Sequence, residues 1–276
     1  MSRLAKPLLI AVVVLLAIIV IGGNWAYKNF DETATTGWSS VARNWWYHYL
    51  DDREERILLA PVAKGADSEF VDKENLTHDW HTKKAPAWHV ALEDFKGKPD
   101  LRYLEVGAYE GRSVMWMFTH VLTDPSSNAT VIDIFYDMGV KGYSQDLRDR
   151  YDANIATVDA TDRTETIVEF SQIALRDLPV DSYDIIYIDG SHFAPDVLED
   201  AVLAQRLLKK GGVLIFDDYR WWVGAPKLGR PKAAVDTFVE FYNEQFEVLH
   251  NGLQVILRKY DEDAEAEGMV IAPDPA

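Results

Sequence analysis

At 276 residues and 48% apolar content, the chain has room for one domain of ordinary size with appendages, and it is too hydrophobic to be a disordered chain. Its formal net charge of −17 repels nucleic acid and anionic headgroups from most of the surface, which sets DNA and RNA aside as partners. Cysteine is absent, so disulfides, thiolate zinc sites and cysteine nucleophiles are excluded.

Residues 1–6 are a short N-terminal flank. From Pro7 to Gly23 the chain is uncharged and rich in Val, Ile and Leu, and with Asn24-Trp-Ala it reaches the ~20 residues that a spanning helix needs. The stretch after it offers only a poor cleavage site, which predicts an uncleaved signal anchor over 7–26 and a lipid bilayer as a partner. Arg3 and Lys6 give a weak charge bias toward a cytoplasmic N-terminus of a single-pass membrane protein, and the side stays open. Residues 27–86 read as a stalk and a lid-like, substrate-side segment, with one helix around Ser39 to Leu59. Within it His78-Asp-Trp-His81 places two imidazoles three residues apart, a spacing more common for surface histidines than for a metal site.

The main domain is expected over 87–260. An apolar run from Leu101 to Val106, the turn Glu105-Val-Gly-Ala-Tyr-Glu-Gly111 and an apolar stretch from Val114 to Leu122 read as strand, glycine turn and helix. A dinucleotide fingerprint needs a middle glycine where Tyr109 stands, and a phosphate loop needs Gly-Lys-Ser/Thr where the chain has Gly111-Arg-Ser. What remains is a carboxylate at a strand end and a turn in which Gly107 lets the backbone approach a ligand, a combination suited to a sulfonium amino acid. Tyr143 to Arg163 is helical in pattern and Thr164 to Phe170 reads as a strand. Tyr183 to Asp189 is an apolar strand ending in a carboxylate, followed by Gly190-Ser-His192; Gly212 to Phe216 is another, ending in Asp217-Asp218-Tyr219. The helix between them, Ala194 to Lys210, has Pro195 and Asp196 at its start and Lys209-Lys210-Gly211-Gly212 as its stop. A right-handed parallel βαβ unit brings Asp189, Asp217 and Asp218 to one carboxyl edge of the sheet. Beyond that edge Tyr219, Arg220, Trp221 and Trp222 form the natural acceptor loop, in which tandem tryptophans stack on a sugar face; the alternative is a hydrophobic loop packed on the stalk. An amphipathic helix around Ala233 to Tyr242 and a hairpin about Asn251-Gly252 close the domain. Residues 261–276 read as an acidic disordered tail.

With Glu105-Val-Gly-Ala-Tyr-Glu-Gly111, Asp189-Gly-Ser-His192 and Asp217-Asp-Tyr219 in view, residues Ala87 to Lys259 resemble the class I S-adenosylmethionine-dependent methyltransferases, in particular the small-molecule and sugar O-methyltransferases. The resemblance implies an α/β fold: a Rossmann-like, mostly parallel seven-stranded sheet with a C-terminal antiparallel hairpin, here preceded by the N-terminal transmembrane helix. It implies that Glu105, Gly107, Ala108, Tyr109 and Gly111 line the methionine side of S-adenosylmethionine, that Asp133 binds the ribose hydroxyls, and that Ser171 lies on the adenine side. It further implies a divalent cation such as Mg²⁺ held by Asp189, Asp217 and Asp218. Chemistry supports the same residues. Hard carboxylate oxygens hold Mg²⁺ and leave positions for a substrate hydroxyl, whose pKa the ion lowers, and His192, assisted by Asp189, takes the proton near neutral pH. The expected activity is membrane-anchored, metal-assisted O-methylation of a carbohydrate or polyol-like small molecule. Two alternatives stay open: a non-catalytic binding module on the same fold, and a metal-independent methyltransferase for another small acceptor.

Overall fold

The computed structural model describes residues 76–135, 146–221 and 226–261. In chain order the elements are α1 (Ala85–Ala91), β1 (Arg102–Val106), α2 (Arg112–His120), β2 (Asn128–Ile132), α3 (Leu147–Thr157), β3 (Thr164–Ile167), α4 (Ser171–Asp177), β4 (Tyr183–Ile188), α5 (Ala194–Leu207), β5 (Leu208–Phe216), α6 (Lys232–Phe241), β6 (Phe246–Asn251) and β7 (Val255–Lys259). The strands form one seven-stranded sheet in the order β3-β2-β1-β4-β5-β7-β6. The first five strands run parallel, and β7 lies antiparallel between β5 and β6. This is the Rossmann-like sheet with a closing hairpin that the sequence predicts.

Period-2 alternation divides the strand side chains between two cores. Tyr103, Val131, Ile185, Tyr187 and Ile215 face the cluster built with Trp88 of α1, Trp116 of α2 and Tyr151 of α3. Leu104, Val106, Ile132, Ile186, Ile188 and Phe216 face the opposite cluster with Val197 and Ala201 of α5 and Phe238 of α6. Both faces of the parallel strands are covered, which is why those strands read as nearly continuous apolar runs. Strand order reverses at β1, whose neighbours are β2 and β4, so a crevice opens at the carboxyl ends of β1 and β4. Glu105 shares the face of Tyr103 and is itself fully buried, on the side where α2 packs.

Three local readings differ from expectation. The Lys209-Lys210-Gly211-Gly212 run does not stop a helix; α5 ends at Leu207, and β5 begins at once. The register shifts from Tyr183↔Leu208 to Ile185↔Val213, and Gly211 supplies the positive φ of +73° that this irregularity needs. The Asn251-Gly252 signal marks a hairpin but not a two-residue turn. Asn251 pairs with Val255, so Gly252, Leu253 and Gln254 form the connection, and the Leu253 carbonyl accepts the N–H of Tyr219 at 3.0 Å. The third strand ends at Ile167, short of Phe170.

The expectation of a single-pass membrane protein is corrected. Among the described residues no helix is long and apolar enough to cross a membrane. The longest, α5, has 14 residues, roughly 21 Å at ~1.5 Å per residue against the ~30 Å of a hydrocarbon core. The predicted 7–26 span, the helix around 39–59 and the 262–276 portion of the tail lie outside the described residues. The boundary expected at 86/87 falls inside α1, and the residues just before α1 are bonded to the domain, as the site shows.

Candidate active site

The glycine turn sits in the β1/β4 crevice. Gly107 has φ +83°, and a Cβ there would lie 2.1 Å from the Asp189 carbonyl oxygen. Only glycine lets the carboxyl ends of β1 and β4 approach so closely. Three residues with side chains adopt left-handed backbone at the same edge: Tyr109 after β1 (φ 50°), Phe135 after β2 (φ 43°) and Asp218 after β5 (φ 52°). Such conformations cost of order 1 kcal/mol or more and persist where surrounding contacts hold them.

Such contacts surround the end of β1. Glu105 accepts from the Tyr103 hydroxyl at 2.5 Å and from the Ser113 hydroxyl of α2. Burial pushes its carboxyl up to about 8, against the pull of those two bonds. Asp133 accepts from the N–H groups of Ala108 (2.7 Å) and Tyr109 (3.0 Å) with Oδ2, and from Phe135 N–H (2.8 Å) with Oδ1. The residue expected at the ribose therefore also braces the glycine turn. Gly111 precedes α2 with φ +80°. Ser171 begins α4 and gives its hydroxyl to buried Asp200 of α5 at 3.0 Å, so the residue expected beside adenine is tied to a neighbouring helix.

At the carboxyl ends of β4 and β5 the three aspartates come together but play unequal parts. The Tyr187 hydroxyl lies 2.8 Å from Asp189 Oδ2 and also contacts Asp217 Oδ2. One proton serves two carboxylates, and burial together with the charge of Asp217 pushes the Asp189 carboxyl well above the usual range. Asp217 is buried; its Oδ1 accepts the Asp218 N–H at 2.5 Å, and its Oδ2 takes the Lys84 ammonium at 2.5 Å. Lys84 Nζ is also 3.6 Å from Asp218 Oδ1. Asp218 Oδ2 pairs with His192 Nε2 at 2.7 Å. Burial works against its charge, but His192 and Lys84 hold the Asp218 carboxyl below its ordinary range. Trp221 stacks on the His192 ring, 4.2 Å between centroids at 17°. Ligand atoms of Asp189, His192 and Asp218 all lie within 4.8 Å of one another.

The predicted acceptor loop divides. Tyr219 is buried in the second core and bonded through its hydroxyl to Asp236 (2.7 Å) and Lys232 (2.9 Å) of α6, so it anchors the loop instead of facing an acceptor. Arg220 is buried, Trp221 spends one face on His192, and Trp222 lies outside the described residues.

The strap formed by residues 76–84 contributes more than its sequence suggests. Thr77 donates its N–H to Glu110 Oε2 (2.7 Å) and its hydroxyl to Glu110 Oε1 (2.8 Å), while Arg150 of α3 also donates to that buried carboxylate at 2.8 Å. Trp80 packs on Tyr109 with centroids 4.9 Å apart. Far from being a surface residue, His81 is buried between Trp88 and Trp116. Glu110, Tyr187 and Lys84 were not among the predicted site residues. Only the substrate-side reading of the segment before Pro86 points toward Lys84, since the Lys83-Lys84 pair stands outside every strand-end motif and matches no ligand pattern.

Comparison with known proteins gives a family match and a likeness of fold. A family model described as a methyltransferase domain matches residues 104–219. Uncharacterized protein R132 of Acanthamoeba polyphaga mimivirus is 28% identical over 137 residues, 48% of this chain and 57% of that protein, so the chain spans little more than half the length of that curated relative. Among solved structures, a Corynebacterium glutamicum protein superposes with a TM-score of 0.51 at 16% identity, covering 88% of this chain and 98% of its own. Cofactor-bound Rv0187 from MTB gives 0.50 at 15%, covering 77% and 97%. At such identities these two likenesses speak for the fold alone. The family match runs from inside β1 to Tyr219, through the glycine turn and all three strand-end aspartates, and supports a class I S-adenosylmethionine-dependent methyltransferase domain over those residues.

Proposed function

We propose that the protein transfers the methyl group of S-adenosylmethionine to a hydroxyl of a small polar acceptor of the carbohydrate or polyol kind. The observation that carries this reading is the His192–Asp218 pair at 2.7 Å, set on the strand edge beside the glycine turn. Glu105, Gly107, Ala108, Tyr109, Gly111 and Asp133 are the residues proposed to surround the cofactor, its sulfonium turned toward the acidic edge. With His192 Nε2–H donating to Asp218, Nδ1 carries the free lone pair, and Trp221 holds the ring plane. In the transfer an acceptor oxygen forms a bond to the methyl carbon as the carbon–sulfur bond breaks. The hydroxyl proton passes to Nδ1, and the sulfonium leaves as a neutral thioether.

Acceptor recognition falls to polar groups: Asp189 and His192 can bond to adjacent hydroxyls, and the net charge of −17 disfavours nucleic acid. A divalent ion held by Asp189, Asp217 and Asp218 needs all three to turn oxygens to one point. Both oxygens of Asp217 are engaged by Lys84, Tyr187 and the Asp218 N–H, so that set does not fit, and no step here passes through an ion.

The test is transfer of labelled methyl from S-adenosylmethionine to a panel of sugars and cyclic polyols, followed by His192→Gln. Turnover falling roughly 10²–10⁴-fold with cofactor affinity unchanged is the expected result. Full turnover in that variant would remove His192 as the base, and a panel with no methylated member would remove the carbohydrate class.

A further inference from the structure

Lys84 stands just before α1, on the strap and outside every strand-end motif, yet its ammonium reaches the centre of the acidic edge. Its side chain is 12% exposed, with Nζ 2.5 Å from Asp217 Oδ2 and 3.6 Å from Asp218 Oδ1. Burial opposes its charge, but Asp217, Asp189 and Asp218 outweigh burial and hold the ammonium well above the ordinary lysine range. A divalent ion bonded to Asp217 would stand ~2.0–2.6 Å from a carboxylate oxygen, the shell that Nζ already fills. Two cations cannot share it.

We propose that Lys84 is the resident cation of the acceptor edge: it neutralises the Asp217–Asp218 pair in place of a divalent ion, and a divalent site appears only when its charge is removed. The inference rests on reading this edge as the acceptor site, but its test needs no turnover. Lys84 acts as a positioning residue. It fixes the direction of Asp217 and Asp218, and through Asp218 that of His192, so the arrangement depends on the strap being docked. The same strap clasps the glycine turn through Thr77 and Glu110, which ties the cation beside the end of β5 to the turn after β1.

The experiment is titration of the full chain with Mn²⁺, following free ion by electron paramagnetic resonance, in the wild type, Lys84→Met, Lys84→Arg and Lys84→Met/Asp217→Asn. The wild type and Lys84→Arg are expected to show no one-equivalent site tighter than about 1 mM, a weakness far beyond dedicated carboxylate sites. Lys84→Met should gain one site at least about tenfold tighter, lost again with Asp217→Asn. Equal Mn²⁺ binding by the wild type and Lys84→Met would overturn the proposal. If Lys84→Met does not fold, the wild type decides alone: a one-equivalent site that disappears in Asp189→Asn overturns the proposal, and its absence upholds it. S-adenosylmethionine titrated in parallel separates the two readings, because a wild type that binds no cofactor sinks methyl transfer and leaves the Mn²⁺ result standing.

Discussion

Among the described residues, buried Glu105 has no cation bonded to it and accepts from the hydroxyls of Tyr103 and Ser113. Its folded pKa of about 8 lies above the ordinary value of 4.5, so near neutrality the group is mostly protonated until a cation arrives. A sulfonium placed at the glycine turn favours the ionised form, and ionised Glu105 in turn favours the sulfonium. Affinity for S-adenosylmethionine should therefore rise several-fold between pH 7 and 9, while affinity for the uncharged thioether product changes less. Calorimetry across that range checks this, and Glu105→Gln should flatten the profile. A profile unchanged by Glu105→Gln would assign the pH dependence to another group. Asp189, also raised by burial, is the natural candidate.

At the level of elements, α5 carries a second misfit. Asp200 is fully buried on its core side, with Oδ2 bonded to Ser171 and Oδ1 without a partner among the described residues. Burial pushes its carboxyl to about 7 from the ordinary 3.8. The sign follows from proton counting. Between about pH 4 and 7 the folded chain holds a proton that the unfolded chain has released, so stability falls as pH rises through that window and levels off above it. Asp200→Asn should recover on the order of 1–3 kcal/mol at pH 8 and progressively less toward pH 4, measured by denaturant unfolding at each pH. A gain independent of pH would contradict this. Elements of this kind were largely legible in the sequence. Strand ends at Val106, Ile188 and Phe216 follow from apolar runs closed by Gly or Asp, and the βαβ rule alone brings Asp189 and Asp217-Asp218 to one edge. What the sequence did not disclose depends on register and on distant packing. The Gly211-Gly212 pair serves a strand irregularity that only the β4 pairing reveals. Tyr219 belongs to the core because α6 supplies Asp236 and Lys232, and Lys84 reaches Asp217 across 133 residues of chain.

For the whole molecule, the order β3-β2-β1-β4-β5-β7-β6 concentrates chemistry at one place. The reversal at β1 opens the crevice, Gly107 brings β1 and β4 together there, and the parallel strands deliver Glu105, Asp133, Asp189, Asp217 and Asp218 to its rim. The strap of residues 76–84 then adds a cation and a clasp from outside the parallel strands. A large negative charge over the chain suits a cationic cofactor and a neutral acceptor better than a polyanion. S-adenosylmethionine is expected to bind in this crevice. Isothermal titration of the full chain with S-adenosylmethionine and with S-adenosylhomocysteine tests it most directly. One equivalent of each should bind, in a manner weakened when Gly107 is replaced by a residue bearing a Cβ; a folded protein that binds neither would contradict the account.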